Sequence, residues 1–174
     1  MPAGSDSPRS PGRPPDPVAH HALVDGPVPP PGAQVLLSEV ESQHAVVKRV
    51  RSGDPIALHD GRGGVGTGRV VEVVKVGKAW SVRARVERVQ RYLPAAPRVE
   101  LCTALPKGDR LDHLIDQVCQ AGAASWRPLI TQRAVTDPAS LRIDRLRRIA
   151  DEAMKQSGRA WRLDLLEPVT VAQA

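Results

Sequence analysis

Residue types and spacings that could do chemistry cluster first at Gly61-Arg62-Gly63-Gly64-Val65-Gly66, a GxGxxG string with Gly68 just beyond it. Such a loop cradles a dinucleotide pyrophosphate only when a strand precedes it and a helix follows, so that the helix N-terminus faces the phosphates. Here a Val-rich β segment follows, and no acid stands downstream where a ribose would need one. The cluster is therefore expected to be a flexible hairpin loop. His20, His21, His44, His59 and His113 show no metal-ligand spacing. His44 falls on the apolar side of a short helix, where a packed or capping role is expected. Asp109, Asp112 and Asp116 share a helix face with basic neighbours, the pattern of a solvated, charge-paired surface. Cys102 and Cys119 lack ligand spacing and read as reduced, buried thiols. No Ser/His/Asp or Cys/His set emerges, so nucleophilic catalysis finds no support and no metal is expected.

Basic residues at the ends of segments are more informative. Lys107 and Arg110 follow one strand candidate, Arg133 follows the next, and Arg159 follows a helix. Ligands of open α/β sheets bind beyond the carboxyl ends of the strands. Lys107, Arg110 and Arg133 are thus expected to converge on one edge as a phosphate-binding rim; ordinary loop solubility is the plainer alternative. The net charge of +6 supports a polyanionic partner, because each neutralised phosphate releases counterions. Basic residues outnumber acids throughout residues 69–110 and 133–162, so the charge belongs to the folded part and not to a tail. That favours nucleic acid.

The elements that would position these residues fall into three stretches. Residues 1–32 are Pro-rich with little apolar content, and are expected to be disordered. Residues 33–93 read as a small β-barrel or curled sheet. A strand over 33–37 leads to Ser38, an N-cap, with Glu41 completing a capping box. Val40, His44, Val47 and Val50 lie at helical spacing beyond it. Strands are expected over 55–59, 69–76 and 79–90, with Gly77-Lys78 as a hairpin turn. The last of these alternates Trp80, Val82, Ala84 and Val86 against Ser81, Arg83, Arg85 and Glu87, so its outer face is basic.

Pro94 and Pro97 mark a linker, and residues 97–174 change pattern to strand, helix, strand, helix, strand. Strands are expected over 98–105, 126–130 and 161–166. The helices cover 109–121, ended by Gly122, and 138–157, capped by Asp137 with Pro138 in the first turn. That alternation signifies a parallel α/β sheet. The sequence stops at Ala174 where another helix is expected, so this domain reads as an unfinished first half. No apolar run approaches the ~20 residues of a membrane span, and no secretory signal opens the chain. A cytoplasmic location is expected. With aromatics at 2% and no Phe, the core must come from Val, Leu, Ile and Ala.

Leu105-Pro106-Lys107-Gly108-Asp109-Arg110, then Gly122, Pro128-Leu129, Arg133 and the stretch from Ala150 to Gln156-Ser157-Gly158-Arg159 resemble the RsmE family. Upstream, Leu37-Ser38, His44, Val50-Arg51, Gly53-Asp54 and Asp60-Gly61 are similar to that family's PUA-like N-terminal barrel. The resemblance implies a mixed α/β chain: a PUA-like barrel followed by the first half of a knotted SPOUT methyltransferase domain. It implies S-adenosylmethionine as cofactor, N3 of a uridine in 16S small-subunit ribosomal RNA as target, and a homodimer. RNA contact is the implied role of Lys107, Arg110, Arg133 and Arg159, and site support that of Gln156. Arg51, Arg83 and Arg85 join the RNA-contacting set on the barrel.

The departures matter as well. The family usually has Glu-Leu-Gly where this chain has Gln120-Ala121-Gly122, and Glu where it has Lys155. The Gly-Pro-Glu-Gly-Gly loop and the knot segment that build the cofactor pocket have no counterpart. No residue here is therefore assigned to catalysis or to the cofactor. A non-catalytic RNA-binding adaptor of the same descent is the alternative.

Overall fold

The computed structural model describes residue 18, residues 20–132 and residues 141–173. Its first sheet is ordered β1-β3-β4-β5-β2. Strand β1 is His20–Leu23 and pairs parallel with β3, Pro55–His59, placing His20 opposite Ile56. Ordered structure therefore begins upstream of residue 33, against the expectation that 1–32 is a disordered tail. Ala22, Val24 and Val28 enter the core there, enough apolar surface to fix the segment. The other strands are β2 (Gln34–Leu36), β4 (Gly64–Val76) and β5 (Ala79–Arg91). β4 and β5 pair antiparallel from Gly64↔Arg91 to Val76↔Ala79, so Gly77-Lys78 is a two-residue turn, with φ +62° at Gly77. Val82, Ala84 and Val86 point inward, as the alternation requires.

Helix α1, Glu39–Val47, starts where expected, and Ser38 Oγ accepts from the Glu41 N–H at 3.3 Å. The face it buries is not the expected one. Val40 and Val47 are 61% and 69% exposed, while Glu41, Ser42 and Ala45 are buried. Ser42 Oγ accepts from the Val82 N–H at 3.1 Å and donates to the Leu37 carbonyl at 3.4 Å, which ties α1 to β5. The capping box is also incomplete. The Glu41 carboxylate turns away from the helix start to pair with Lys155 at 2.7 Å.

The glycine cluster is not a flexible loop. Gly64, Gly66 and Gly68 lie in β4, and only residues 60–63 turn. Asp60, buried, organises that turn: its Oδ1 accepts from the N–H groups of Arg62 (2.7 Å) and Gly64 (2.8 Å).

The second sheet holds β6 (Glu100–Ala104), β7 (Ser125–Ile130), β8 (Asp164–Leu165) and β9 (Val169–Thr170), all parallel to β7. Helices α2 (Arg110–Gln120) and α3 (Ile143–Ser157) pack on each other in the core that also holds Trp126. Gly122, at φ +94°, ends α2 as expected, with the Ala123 N–H bonding the Val118 carbonyl at 3.2 Å. Of the strand expected over 161–166 only β8 forms, and β9 follows it beyond the expected end. β8 pairs with Ser125 and Trp126 and β9 with Leu129 and Ile130, and Pro168, which lacks an N–H, lies between them. α3 begins at Ile143, after Leu141 and Arg142, later than the expected start at 138. The Asp137-Pro138 cap lies outside the described residues. Of the two thiols, Cys119 is buried but Cys102 is half-buried on β6.

Candidate nucleic-acid interface

Strand alternation places the arginines of β5 on the face opposite the core. In register, Arg85 stands between Gln34 of β2 and Arg69 of β4, and Arg83 stands between Leu36 and Glu72. Arg69 and Arg83 have acidic neighbours, Glu87 at 3.5 Å and Glu72 at 3.9 Å. Arg85 is exposed and has no ion pair among the described residues. Lys75 lies over the Trp80 ring at 5.9 Å near the hairpin end. Arg51 is exposed in the turn after α1, which is fastened to β4 by Ser52 Oγ on the Val71 carbonyl (2.7 Å) and by Arg69 on the Gly53 carbonyl (2.9 Å). Arg51, Arg83 and Arg85 thus belong to one sheet and its border.

The C-terminal candidates do not form one group. Lys107 and Arg110 are exposed at the carboxyl end of β6, where an open α/β sheet presents ligand-binding loops. Arg133 lies outside the described residues. Gln156 lies in the last turn of α3 and Arg159 just beyond it, where the crossover has run back to the amino ends of the strands. They therefore sit at the opposite end of the sheet from Lys107. Gln156 is exposed, whereas Arg159 is half-buried and occupied. Its guanidinium donates to the Cys119 carbonyl and, at 2.8 Å, to the Ala123 carbonyl. These are carbonyls that the end of α2 leaves without helical partners, so Arg159 acts as a helix cap.

Local patterns gave no sign of the junction between the two sheets. Lys155, 4% exposed, lies between Glu41 and Glu152 with both contacts at 2.7 Å, and His44 Nδ1 stands 3.4 Å from Glu152. Burial works against the ammonium, but the hydrogen bonds to Glu152 and Glu41 outweigh it and hold its pKa above the ordinary lysine value. Donor atoms of Glu41, His44 and Glu152 lie within 4.8 Å of one another, and the Lys155 ammonium is the counter-charge between the carboxylates. The sequence signal was Lys155 itself, at a position where the family usually has Glu.

Two histidines are buried beside this junction. Burial, then the nearby Lys48, pushes the His20 pKa from 6.5 down to about 4. Burial and the His21 ring, whose Nδ1 lies 2.9 Å from His59 Nε2, push His59 from 6.5 to about 4 as well. Both are neutral in the fold at pH 7, while the unfolded chain takes up protons below about pH 6.5. Between about pH 6.5 and 4 the unfolded state binds more protons, so stability falls as the pH drops through that window. Thermal unfolding at pH 4.5 is expected to occur on the order of 10 °C below that at pH 7. His20→Leu with His59→Leu should flatten the dependence, and an equally steep dependence in that variant would remove the assignment.

Among the described residues no helix is long and apolar enough to cross a membrane. Residues 94–174 match the RNA methyltransferase domain family. A Synechocystis protein named ribosomal RNA small subunit methyltransferase E is 32% identical over 127 residues, covering 73% of this chain and 40% of that protein. Its Mycobacterium bovis namesake is 32% identical over 139 residues, covering 76% and 51%. This chain therefore spans about half, or less, of the length of these relatives. Among solved structures, the Neisseria gonorrhoeae ribosomal RNA small subunit methyltransferase E bound to S-adenosyl methionine superposes with TM-score 0.76 at 24% identity, over 86% of this chain and 61% of that one. The Legionella pneumophila protein Lpg2936, with SAM bound, gives 0.75 at 25% identity over 91% and 65%.

Proposed function

From the premise that this chain is a relative of the RsmE-type ribosomal RNA methyltransferases, we propose that it binds small-subunit ribosomal RNA, in the cytoplasm, for methylation at N3 of a uridine. The observation that carries the RNA part is the outer face of β5, where Arg85 is exposed and has no acidic partner among the described residues, with Arg83 on the same face and Arg51 at the sheet's border. Lys107 and Arg110 extend the contact to the carboxyl end of the second sheet, and Arg133 is read with them. Arginines and lysines so placed hold phosphates and fix register, leaving sequence to be read elsewhere. Gln156, exposed beside the α3 terminus, keeps its reading as a site-support residue, and a homodimer is the working assembly.

S-adenosylmethionine is the cofactor this reading takes, because similar structures hold it. The described residues offer only part of what it needs. Beyond β7 and β9, Ile130 and Val171 give exposed apolar surface, but no described side-chain set there is suited to a sulfonium and an amino-acid carboxylate together. The fit fails on the described residues, and no chemical step is derived through the cofactor. The second reading is an RNA-binding adaptor without methyl transfer. Calorimetric titration with S-adenosylmethionine separates them, since heat of binding supports the enzyme and none supports the adaptor.

The RNA reading is tested with Arg85→Ala and Lys107→Ala against a small-subunit ribosomal RNA fragment over a salt series. Each is expected to keep its fold, weaken binding several-fold and reduce the salt slope by about one. Unchanged affinity in both variants at low salt would overturn the interface.

A further inference from the structure

We propose that the pocket at the junction of the two sheets is a phosphate site for the bound RNA, with Arg62 as its principal contact. The inference rests on the RNA reading above and adds a position to it. The pocket measures about 140 Å³ and is walled by the Gly61–Arg62 turn, the linker at residues 94–99, the loop after α2, and the segment from Arg159 to Asp164. A phosphate group fits that volume.

Its charge is unbalanced. Arg98 is paired with Asp164 at 3.2 Å and Arg162 with Asp151 at 2.7 Å. Arg159 spends its hydrogen bonds on the neutral carbonyls of Cys119 and Ala123. Arg62 is exposed and, among the described residues, its side chain has no partner. Two guanidinium groups therefore face one small concavity without carboxylates of their own, and an anionic oxygen cluster is the ligand that would balance them.

The walls are also fixed in advance. The Gly63 N–H donates to the Ala160 carbonyl at 2.9 Å, the Arg162 N–H to the Gly61 carbonyl at 3.0 Å, and Trp161 Nε1 to the Tyr92 carbonyl at 3.0 Å. Gly63 makes this approach possible: at φ +93°, a Cβ there would lie 2.5 Å from the Tyr92 oxygen and 2.7 Å from Trp161 Cζ2. Gly63 of the glycine cluster is thus explained by a close backbone crossing behind the pocket wall. Continuity gives the direction of the RNA. β5 ends at Arg91, 3.9 Å from Asp60, and the next residue donates its N–H to the Gly63 carbonyl at 2.8 Å, so the last strand of the first sheet runs directly into the pocket wall. RNA held on the outer face by Arg83 and Arg85 is thereby close in the chain to the pocket that Arg62 borders.

The experiment uses the full chain, the ribosomal RNA fragment, and the indole N–H resonance of Trp161. Arg62→Ala should leave thermal unfolding unchanged, weaken RNA binding about five-fold and lower the salt slope by about one. RNA should shift the Trp161 resonance in the parent protein and much less in the variant. If the parent binds RNA and Arg85→Ala weakens it while Arg62→Ala does not, the pocket assignment is overturned and the RNA reading survives. A shift of Trp161 with inorganic phosphate but none with RNA also overturns it, leaving a free-anion site. A parent protein that does not bind the fragment overturns the RNA reading and this proposal with it.

Discussion

Lys155→Ala is expected to cost ~3–5 kcal/mol of stability, because it strips the counter-charge from a buried carboxylate. Lys155 is 4% exposed and Glu41 6%, and each contact to the ammonium is 2.7 Å. Glu41 Oε2 is already buried without a hydrogen-bond partner, so removal of the ammonium leaves the whole carboxylate uncompensated. Glu152 is different, being partly solvated and near His44, and should tolerate the loss. Replacing both buried partners, Lys155→Met with Glu41→Leu, should recover most of the lost stability, since an apolar pair of similar volume avoids desolvating two charges. Urea unfolding of the two variants checks this. An alanine variant within ~1 kcal/mol of the parent would mean the pair is solvated in solution. Because Glu41 lies on α1 and Lys155 on α3, the pair joins the helix beside the first sheet to the helical layer of the second.

Gly68→Ala is expected to be the most damaging small substitution in the first sheet. A Cβ at Gly68 would lie 1.9 Å from the Arg85 carbonyl oxygen and 3.2 Å from Val86 Cα, both backbone atoms that no rotamer change can move. The position follows an irregularity between Thr67 and Gly68, where the β4–β5 register shifts. The added methyl must push β4 and β5 apart, which places the cost near ~3 kcal/mol, the upper end for overpacking. It should also weaken RNA binding, since the displaced peptide belongs to Arg85. Gly77→Ala is the control. Its φ of +62° carries only the modest left-handed penalty of ~1–2 kcal/mol, with nothing within 4 Å of the added carbon. Thermal melts that rank Gly77→Ala above Gly68→Ala in cost would contradict the close approach.

Where short-range pattern decides structure, the sequence was sufficient. The alternation of Val82, Ala84 and Val86 with Arg83 and Arg85 fixed both faces of β5, because strand side chains alternate irrespective of what they pack against. Leu111, Leu114, Ile115, Val118 and Cys119 recur at helical spacing, which placed α2 and with it the parallel order of the second sheet. The likeness to RNA methyltransferases was legible in the run from Leu105 to Arg110 and the run from Ala150 to Arg159.

Tertiary structure decided the rest, in each case through partners far apart in the chain. α1 was expected to bury the stripe with Val40 and Val47, but it buries Glu41, Ser42 and Ala45, and Glu41 meets Lys155, 114 residues away. Arg159 looked like a free cation at a helix end until the α2 carbonyls, 36 and 40 residues earlier, took up its donors. The glycines looked like a loop because their composition records only the absence of side chains. For Gly63 and Gly68 the reason for that absence lies in the backbones of Tyr92 and Arg85, which press against them across the fold. Local spacing carries the period of an element, but which of its faces finds a partner depends on contacts that exist only once the chain has closed on itself.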